Sequence, residues 1–125
     1  MQVLLDTHLF IWWLKDDHQL SKQARTAITK ADMVYVSSVS IWEAAIKIQL
    51  GKLDAKIGEL VDSIESEGFL ELPLKAKQAA IVTKLPTIHR DPFDRMLIAQ
   101  AISEPLRFLT SNKILKDYSE LVDIV

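Results

Sequence analysis

The sequence predicts an α/β sandwich of three layers, in which a central parallel sheet is flanked by helices on both faces. Short apolar stretches typical of strands alternate along the chain with longer stretches that have helical spacing. Strands separated by helices are joined by right-handed crossovers, and such crossovers make the strands parallel. The length of 125 residues, 49% of them hydrophobic, suits one core, so we predict a single domain over residues 1–125.

The first half of the chain is predicted to run strand, helix, helix, strand, helix. Ser21 is a suitable N-cap for the second helix, and Ser40 with Glu43 forms a capping box that opens the third. The predicted elements are a strand at 2–5, helices at 7–17 and 22–31, a strand at 33–38 and a helix at 41–53.

The second half is predicted to be mostly helical before two closing strands. Gly68 ends one helix, Pro86 ends another, and Pro92 and Pro105 bound a third. The stretch 69–74 is either a short strand or an extended link. The remaining predicted elements are helices at 57–68, 75–85 and 92–104, strands at 106–111 and 121–125, and a helical turn at 112–118.

The composition excludes several classes of function. The formal charge is only −2, so no global positive field drives indiscriminate binding to nucleic acid, and any such contact must be local. The absence of cysteine excludes disulfides, thiolate catalysis and cysteine-ligated metal sites. The first apolar run is broken by Asp6 and His8 before it could act as a signal peptide or membrane span. We therefore expect a cytoplasmic protein without a membrane segment.

Polar residues follow the predicted strands at the edge where parallel α/β sheets bind their ligands. Asp6 directly follows the first strand, and Glu43 lies about one helical turn beyond the second. Asp91 and Asp94 begin the helix before the penultimate strand, and Asn112 follows that strand. Each has an alternative interpretation as a cap or turn residue. Independent caps have no reason to converge, however, and like charges held close together repel unless a cation lies between them.

This convergence predicts a divalent metal site. Oxygen ligands without cysteine or a histidine pair favour Mg²⁺ or Mn²⁺ over Zn²⁺. Such ions activate water and stabilise charge on phosphoryl oxygens, so the implied chemistry is phosphodiester hydrolysis. Asp6 and Asp94 are the expected direct ligands, and Glu43 is either a ligand or the residue that orients the attacking water. Asp91 is either a further ligand or only the cap of a helix that Pro92 begins.

Three stretches carry a resemblance to a known family over essentially the whole chain. They are "LLDTHLFIWWL", "SSVSIWEAAIKIQLGKL", and "HRDPFDRMLIAQA" with the "FLTSN" that follows it. In these stretches the sequence resembles the PIN-domain ribonucleases, and most closely the VapC toxins of bacterial and archaeal toxin–antitoxin pairs. The resemblance implies a parallel sheet between helices, Mg²⁺- or Mn²⁺-dependent endonuclease action on RNA, an antitoxin partner that blocks the site, and a homodimer.

The resemblance also assigns roles by position. Asp6, Glu43 and Asp94 match the family's acidic triad, and Asn112 matches a fourth position that is often aspartate. Because asparagine offers only a neutral carbonyl oxygen, a second metal is expected to bind weakly or only together with RNA. Thr110 and Ser111 are expected to assist through their hydroxyls or by holding a water molecule.

Other residues near these acids are candidate substrate contacts or supporting residues. Arg90 and Arg95 either pair with the carboxylates or contact phosphates of the substrate. His89 stands beside the acids in the sequence and is a candidate RNA contact. Thr7, which follows Asp6, is a further candidate for a supporting role.

The tryptophans and lysines are expected to serve mainly structure and solubility. Trp12, Trp13 and Trp42 could stack on bases, but in helices this apolar they are predicted to lie in the core or at an interface. The helical lysines expected to face solvent are those at positions 47, 52, 56, 75, 77 and 84.

Two other functions stay open at this point. A phosphoacceptor or phosphotransfer domain of receiver or haloacid-dehalogenase type also places aspartate at strand ends. The dehalogenase pattern requires Asp-x-Asp, where this chain has His8 in the second position, and a receiver requires an acidic pair beside the first strand. The third hypothesis is a noncatalytic interaction module that keeps the same fold.

Overall fold

The sheet of the protein has five strands, all parallel. The computed structural model describes residues 1–125. Its strands are β1 (Gln2–Leu5), β2 (Met33–Ser37), β3 (Leu70–Leu72), β4 (Arg107–Thr110) and β5 (Val122–Ile124). They lie in the order β3-β2-β1-β4-β5, with Val3 opposite Val34 on one side and Arg107 on the other. The predicted parallel sheet is confirmed, and the first strand of the chain is at its centre.

Six α-helices and two 3-10 segments connect these strands. The helices are α1 (Thr7–Lys15), α2 (Lys22–Lys30), α3 (Ser38–Gln49), α4 (Ile57–Ser66), α5 (Ala76–Ala80) and α6 (Pro92–Ser103). The 3-10 segments cover Ile81–Lys84 and Lys113–Tyr118. None of the helices combines the length and hydrophobicity needed to cross a bilayer.

The core consists of two apolar clusters, one on each face of the sheet. Alternate residues of a strand point to opposite faces, so Val3 and Leu5 enter one cluster and Leu4 enters the other. The first cluster receives side chains from α1, α2 and α4, including Phe10 and Ile28. The second receives its side chains mainly from α6 and the segment after β4. The first cluster consists of Val3, Leu5, Leu9, Phe10, Leu20, Ala24, Ile28, Val34, Val36, Ile64, Phe69 and Leu109. The second consists of Leu4, Val39, Leu72, Leu97, Ile98, Ala101, Leu106, Phe108, Leu115, Tyr118 and Val122.

Two predicted helices differ from the structure by more than two residues at an end. The predicted capping box of Ser40 and Glu43 is wrong, because α3 begins at Ser38 and the Ser37 hydroxyl accepts the capping hydrogen bond from the Val39 amide. The predicted helix at 75–85 is α-helical only over five residues and continues as a 3-10 turn. The stretch 69–74 contains a short edge strand, which selects the first of its two predicted alternatives.

Two helices start immediately beyond the carboxyl ends of neighbouring strands. β1 is followed by α1 after Asp6 alone, and β2 leads into α3 without a break. The amide of Asp6 still donates to the carbonyl of Leu109, so the sheet holds this residue in register with the end of β4. The fold therefore places residues from distant parts of the sequence at one edge of the sheet.

Candidate metal centre

Asp6 is a buried carboxylate between two strand ends. Only 4% of the residue is exposed. Its Oδ1 accepts a hydrogen bond from the His8 amide at 2.8 Å and so caps α1, while its Oδ2 accepts one from Thr110 Oγ1 at 2.6 Å. His8 Nδ1 lies 3.4 Å from Oδ1. Asp6 therefore caps a helix and also presents a fixed carboxylate at the edge of the sheet.

Glu43 is a second buried carboxylate, and one of its oxygens has no partner. The residue is 2% exposed, and Oε2 accepts a hydrogen bond from Lys47 Nζ at 2.7 Å, one helical turn further along α3. Oε1 is buried and receives no hydrogen bond. A buried carboxylate oxygen without a donor is costly, because it has lost its water without replacement. The position of Oε1 is therefore suited to a ligand that supplies positive charge.

Asp94 lies in the first turn of α6, and its side chain is 13% exposed. Burial raises the pKa of its carboxyl group, and the negative charges of three other carboxylates raise it further, to about 7. Those carboxylates belong, in order of effect, to Asp6, Asp91 and Glu43. The structure thus brings the other three predicted acidic residues close enough to Asp94 for their charges to act on its carboxyl group. We refer to Asp6, Glu43, Asp91 and Asp94 as the acidic cluster.

Asp91 fills one of its two predicted roles, that of a helix cap. Its Oδ1 accepts hydrogen bonds from the amides of Phe93 and Asp94, at 2.8 and 3.1 Å, and thereby caps α6. Its carboxylate also lies near His89 and Asp94, since one ligand atom from each of these three residues falls within 4.8 Å of the others. Capping therefore does not exclude Asp91 from metal binding.

His89 is held beside Asp94 by the loop that precedes α6. Its Nε2 lies 3.4 Å from Asp94 Oδ2. The Tyr118 hydroxyl fixes the loop, because it accepts a hydrogen bond from the His89 amide at 2.8 Å and donates one to the His89 carbonyl at 3.1 Å. Arg95 donates to that hydroxyl and to the carbonyl of Pro86. Arg95 thus braces the loop and does not pair with the carboxylates, the first of the two contacts predicted for it.

The remaining predicted residues differ in what they contact. Thr7 Oγ1 donates to Ser40 Oγ at 2.8 Å and ties α1 to α3. Asn112 Oδ1 accepts from the Ile114 amide at 3.3 Å, so this oxygen caps the 3-10 segment. The backbone amide of Asn112 donates to the Thr110 hydroxyl. Ser111 and Arg90 are exposed. The hydroxyl that reaches an acidic residue directly is that of Thr110.

Sequence reasoning missed two residues of this region. Lys47 was expected on a solvated helix face, but it is half-buried and paired with Glu43; the spacing of four residues was the available signal. Tyr118, which fixes the His89 loop, gave no signal because 29 residues separate the two.

The acidic cluster fits a divalent cation. All its donors are carboxylate oxygens, Glu43 Oε1 lacks a partner, and burial together with the neighbouring carboxylates raises the pKa of Asp94. A cation bound beside these carboxylates would offset their charge. The ligand atoms that already lie within 4.8 Å of one another belong to His89, Asp91 and Asp94. Hard oxygen donors of this kind are those that Mg²⁺ and Mn²⁺ prefer.

The fold and the site define an α/β sandwich that gathers carboxylates at the carboxyl edge of a parallel sheet. The chain belongs to the PIN domain family, whose model matches residues 3–121. This membership confirms the family resemblance and disfavours the receiver and dehalogenase hypotheses.

Individual relatives agree with the family assignment. The chain is 28% identical over 123 residues to Ribonuclease VapC22 of Mycobacterium tuberculosis, covering 93% of this chain and 91% of the relative. The crystal structure of VapBC2 from Rickettsia felis, bound to a DNA fragment from its promoter, superposes with a TM-score of 0.73 at 16% identity and covers 99% of this chain and 98% of that one. A toxin–antitoxin complex from Klebsiella pneumoniae gives 0.67 at 17% identity, with 97% and 95% coverage. These two structural likenesses show the shared fold.

Proposed function

We propose that the protein is a divalent-metal-dependent endoribonuclease and the toxin of a toxin–antitoxin pair. The observation that carries the proposal is the unpartnered, buried Oε1 of Glu43 within a cluster of four carboxylates. Membership of the PIN family and similarity to a protein named as a ribonuclease support RNA as the substrate.

Mg²⁺ or Mn²⁺ is the proposed cofactor. Asp6, Glu43 and Asp94 would hold it, with Asp91 in support, and Asn112 could join only if its oxygen left the helix cap. When bound, such an ion stabilises charge on a phosphoryl oxygen and lowers the pKa of water for attack on the phosphodiester.

The residues of the chain fix the carboxylates in place. The His8 amide and the Thr110 hydroxyl hold the two oxygens of Asp6, and Lys47 holds one oxygen of Glu43, so both carboxylates are fixed in direction. Tyr118 and Arg95 hold the loop that carries His89 next to Asp94. A site ordered in this way needs little rearrangement when substrate binds.

The proposed partners are an antitoxin and a second copy of the chain, in the cytoplasm. The structural neighbours described as VapBC2 and as a toxin–antitoxin complex support the antitoxin. The homodimer and the cytoplasmic location rest on the resemblance alone. Size-exclusion chromatography with light scattering, alone and with the product of a neighbouring short gene, tests both associations.

The decisive experiment is cleavage of pooled single-stranded RNA by the purified protein. We expect internal cleavage with Mg²⁺ or Mn²⁺, none with chelator, and none by Asp6→Asn in either condition. Asp62→Asn is the matched control, because Asp62 is an exposed acid on α4 and should leave cleavage unchanged.

Two results would refute the proposal. Cleavage by the protein in excess chelator would exclude metal dependence. A folded wild-type protein that cleaves no RNA with either metal, yet still forms a complex with the neighbouring gene product, would favour the noncatalytic module.

A further inference from the structure

A cleft next to the acidic cluster is rich in basic side chains. Its volume is about 350 Å³. It lies between α1 and the end of α3, and none of its lining residues is acidic, although the chain as a whole is slightly negative. We call it the basic cleft; its lining residues are His8, Ile11, Trp12, Lys47, Lys52 and Leu53.

The basic cleft opens directly onto the acidic cluster. His8 Nδ1 lies 3.4 Å from Asp6, and Lys47 Nζ lies 2.7 Å from Glu43. Two residues of its lining are therefore in contact with two of the carboxylates. A polyanion whose scissile phosphate lies at the carboxylates would place an adjoining nucleotide beside these basic groups.

A specific turn places Lys52 next to Lys47. The Lys52 amide donates to the Lys47 carbonyl at 2.8 Å, and the Gly51 amide donates to the Ile48 carbonyl at 3.1 Å. This pattern closes α3 with a left-handed residue, and Gly51 supplies it with φ of +71°. A residue with a side chain is strained in that conformation. The turn therefore brings a second ammonium group to the cleft.

The cleft also has an aromatic surface. Trp12 is half-buried, and its ring lies 5.8 Å from that of His8, centroid to centroid, at an interplanar angle of 46°. Single-stranded RNA is bound by phosphate contacts to basic groups together with stacking of bases on aromatic side chains. The basic cleft offers both kinds of contact within one volume.

We propose that the basic cleft binds one nucleotide of a single-stranded RNA, with a backbone phosphate at Lys47 and Lys52 and the base against Trp12. This inference rests on the proposed function, because it places RNA at the acidic cluster. It assigns substrate recognition to α1 and the end of α3, beyond the carboxylates themselves. Charge complementarity and continuity with the carboxylates favour RNA over a protein segment as the occupant.

Lysines at the end of a helix have an ordinary alternative role. They stabilise the negative end of the helix dipole, and that role concerns stability alone. It predicts a lower melting temperature for Lys52→Ala and no change in RNA binding. The two interpretations therefore differ in a measurable quantity.

The experiment measures binding of a fluorescently labelled short single-stranded RNA by anisotropy, with Mg²⁺ present. The full chain carries Asp94→Asn so that the RNA stays intact. We expect Lys52→Ala to weaken binding severalfold and to lower the slope of log Kd against log salt by about 0.7, the contribution of one phosphate contact. Lys52→Arg should restore both. The control Lys30→Ala changes an exposed lysine at the end of α2, near the amino ends of the strands, and should change neither.

The aromatic part of the inference has its own variants. Trp12→Leu should weaken binding by about fivefold or more without changing the salt slope, because stacking is lost but no phosphate contact is. Trp12→Phe should retain most of the affinity. Trp13→Phe is the matched control, since the Trp13 ring packs on Phe69 and lies outside the basic cleft. Circular dichroism melts of every variant check folding.

The outcomes separate the inference from the proposed function. If wild-type protein cleaves RNA but Lys52→Ala and Trp12→Leu bind it as tightly as the Asp94→Asn parent, the basic cleft does not bind RNA. Variants that change only the melting temperature, the oligomeric state or the binding of a protein partner would overturn the inference in the same way. If wild-type protein neither cleaves nor binds RNA, the proposed function itself fails.

Discussion

Helix α6 contributes to two polar regions, which differ in whether their buried groups have hydrogen-bond partners. Its first turn carries Asp94 into the acidic cluster, where carboxylates repel one another and Glu43 Oε1 has no partner. Two turns later, Gln100 enters a chain of neutral groups. Its Oε1 accepts from the Ser37 hydroxyl, and its Nε2 donates to Gln78 Oε1 at 3.2 Å.

In the second region, which we call the amide chain, the buried polar side chains form hydrogen bonds with one another. Ser37, Gln78 and Gln100 are fully buried. Gln78 Nε2 donates a further hydrogen bond to Glu104 Oε2 at 3.0 Å. The amide chain connects the end of β2, α5 and α6 without external help. The contrast indicates that buried polar groups that hydrogen-bond to one another stabilise the fold, whereas buried groups that lack partners are suited to binding a ligand. Four predictions test this difference.

The largest effect should come from Asp94→Asn. We expect RNA cleavage to fall by about a hundredfold or more, because a metal ion contributes several kcal/mol to stabilising the reacting phosphate. The metal-free variant should be at least as stable as the wild type, since one repelling charge is gone. Cleavage rates and chemical denaturation measure the two effects. If the variant unfolds, Asp94 stabilises the fold, as the residues of the amide chain do, and the contrast fails.

The opposite pattern is expected for Gln100→Leu. Ser37 and Gln78 would each lose a buried partner, so the free energy of unfolding should fall by about 2–4 kcal/mol. Urea denaturation measures this loss, with Gln23→Leu on the exposed face of α2 as control. Cleavage per folded molecule should stay close to wild type. A large loss of activity in fully folded variant would contradict the separation of the two regions.

The acidic cluster should also make stability depend on pH. Because the folded-state pKa of Asp94, about 7, lies above its unfolded value, the metal-free protein should lose stability as the pH rises from about 5 to 7.5. Each unit of raised pKa corresponds to about 1.4 kcal/mol. The decrease is measured as the melting temperature of wild type relative to Asp94→Asn. Saturating Mn²⁺ should raise the melting temperature at pH 7.5 and abolish the trend, and a flat metal-free profile would contradict the repulsion.

The smallest effect should come from Thr110→Val, which removes the hydrogen bond to Asp6. We expect metal affinity, followed by calorimetry with Mn²⁺, to weaken by about tenfold, as for other residues that orient metal ligands. Thr110→Ser keeps the hydroxyl and should bind like wild type. Equal affinities for all three proteins would show that Asp6 needs no such support.

The common location of the acidic residues was predictable because all strands of a parallel sheet end at the same edge. Asp6 and Glu43 follow apolar stretches, and the carboxyl ends of parallel strands meet at one edge. Asp94 was placed at the same edge because it begins the helix that precedes the penultimate strand, and the family resemblance assigned the same residue. The predicted strands therefore placed the carboxylates without knowledge of any contact between them.

The parts that sequence reasoning missed depend on contacts between remote side chains. Gln78 and Gln100 lie on separate helices, and nothing in a periodic pattern shows that their amides meet. The start of α3 was misplaced because Ser37 and Ser40 are equally good caps in the sequence, and only the end of β2 decides between them. Arg95 was expected to pair with the carboxylates or to contact phosphates, and its hydrogen bonds to the carbonyls of Pro86 and Val82 could not be inferred from the sequence.

The pairing of β1 with β4 joins residues made at very different times during translation. Asp6 leaves the ribosome 104 residues before Thr110, whose hydroxyl fixes it. An incomplete nascent chain that lacks β4 has no neighbour on that side of β1 and cannot order Asp6. The acidic cluster can therefore be completed only after β4 has been synthesised and has paired with β1.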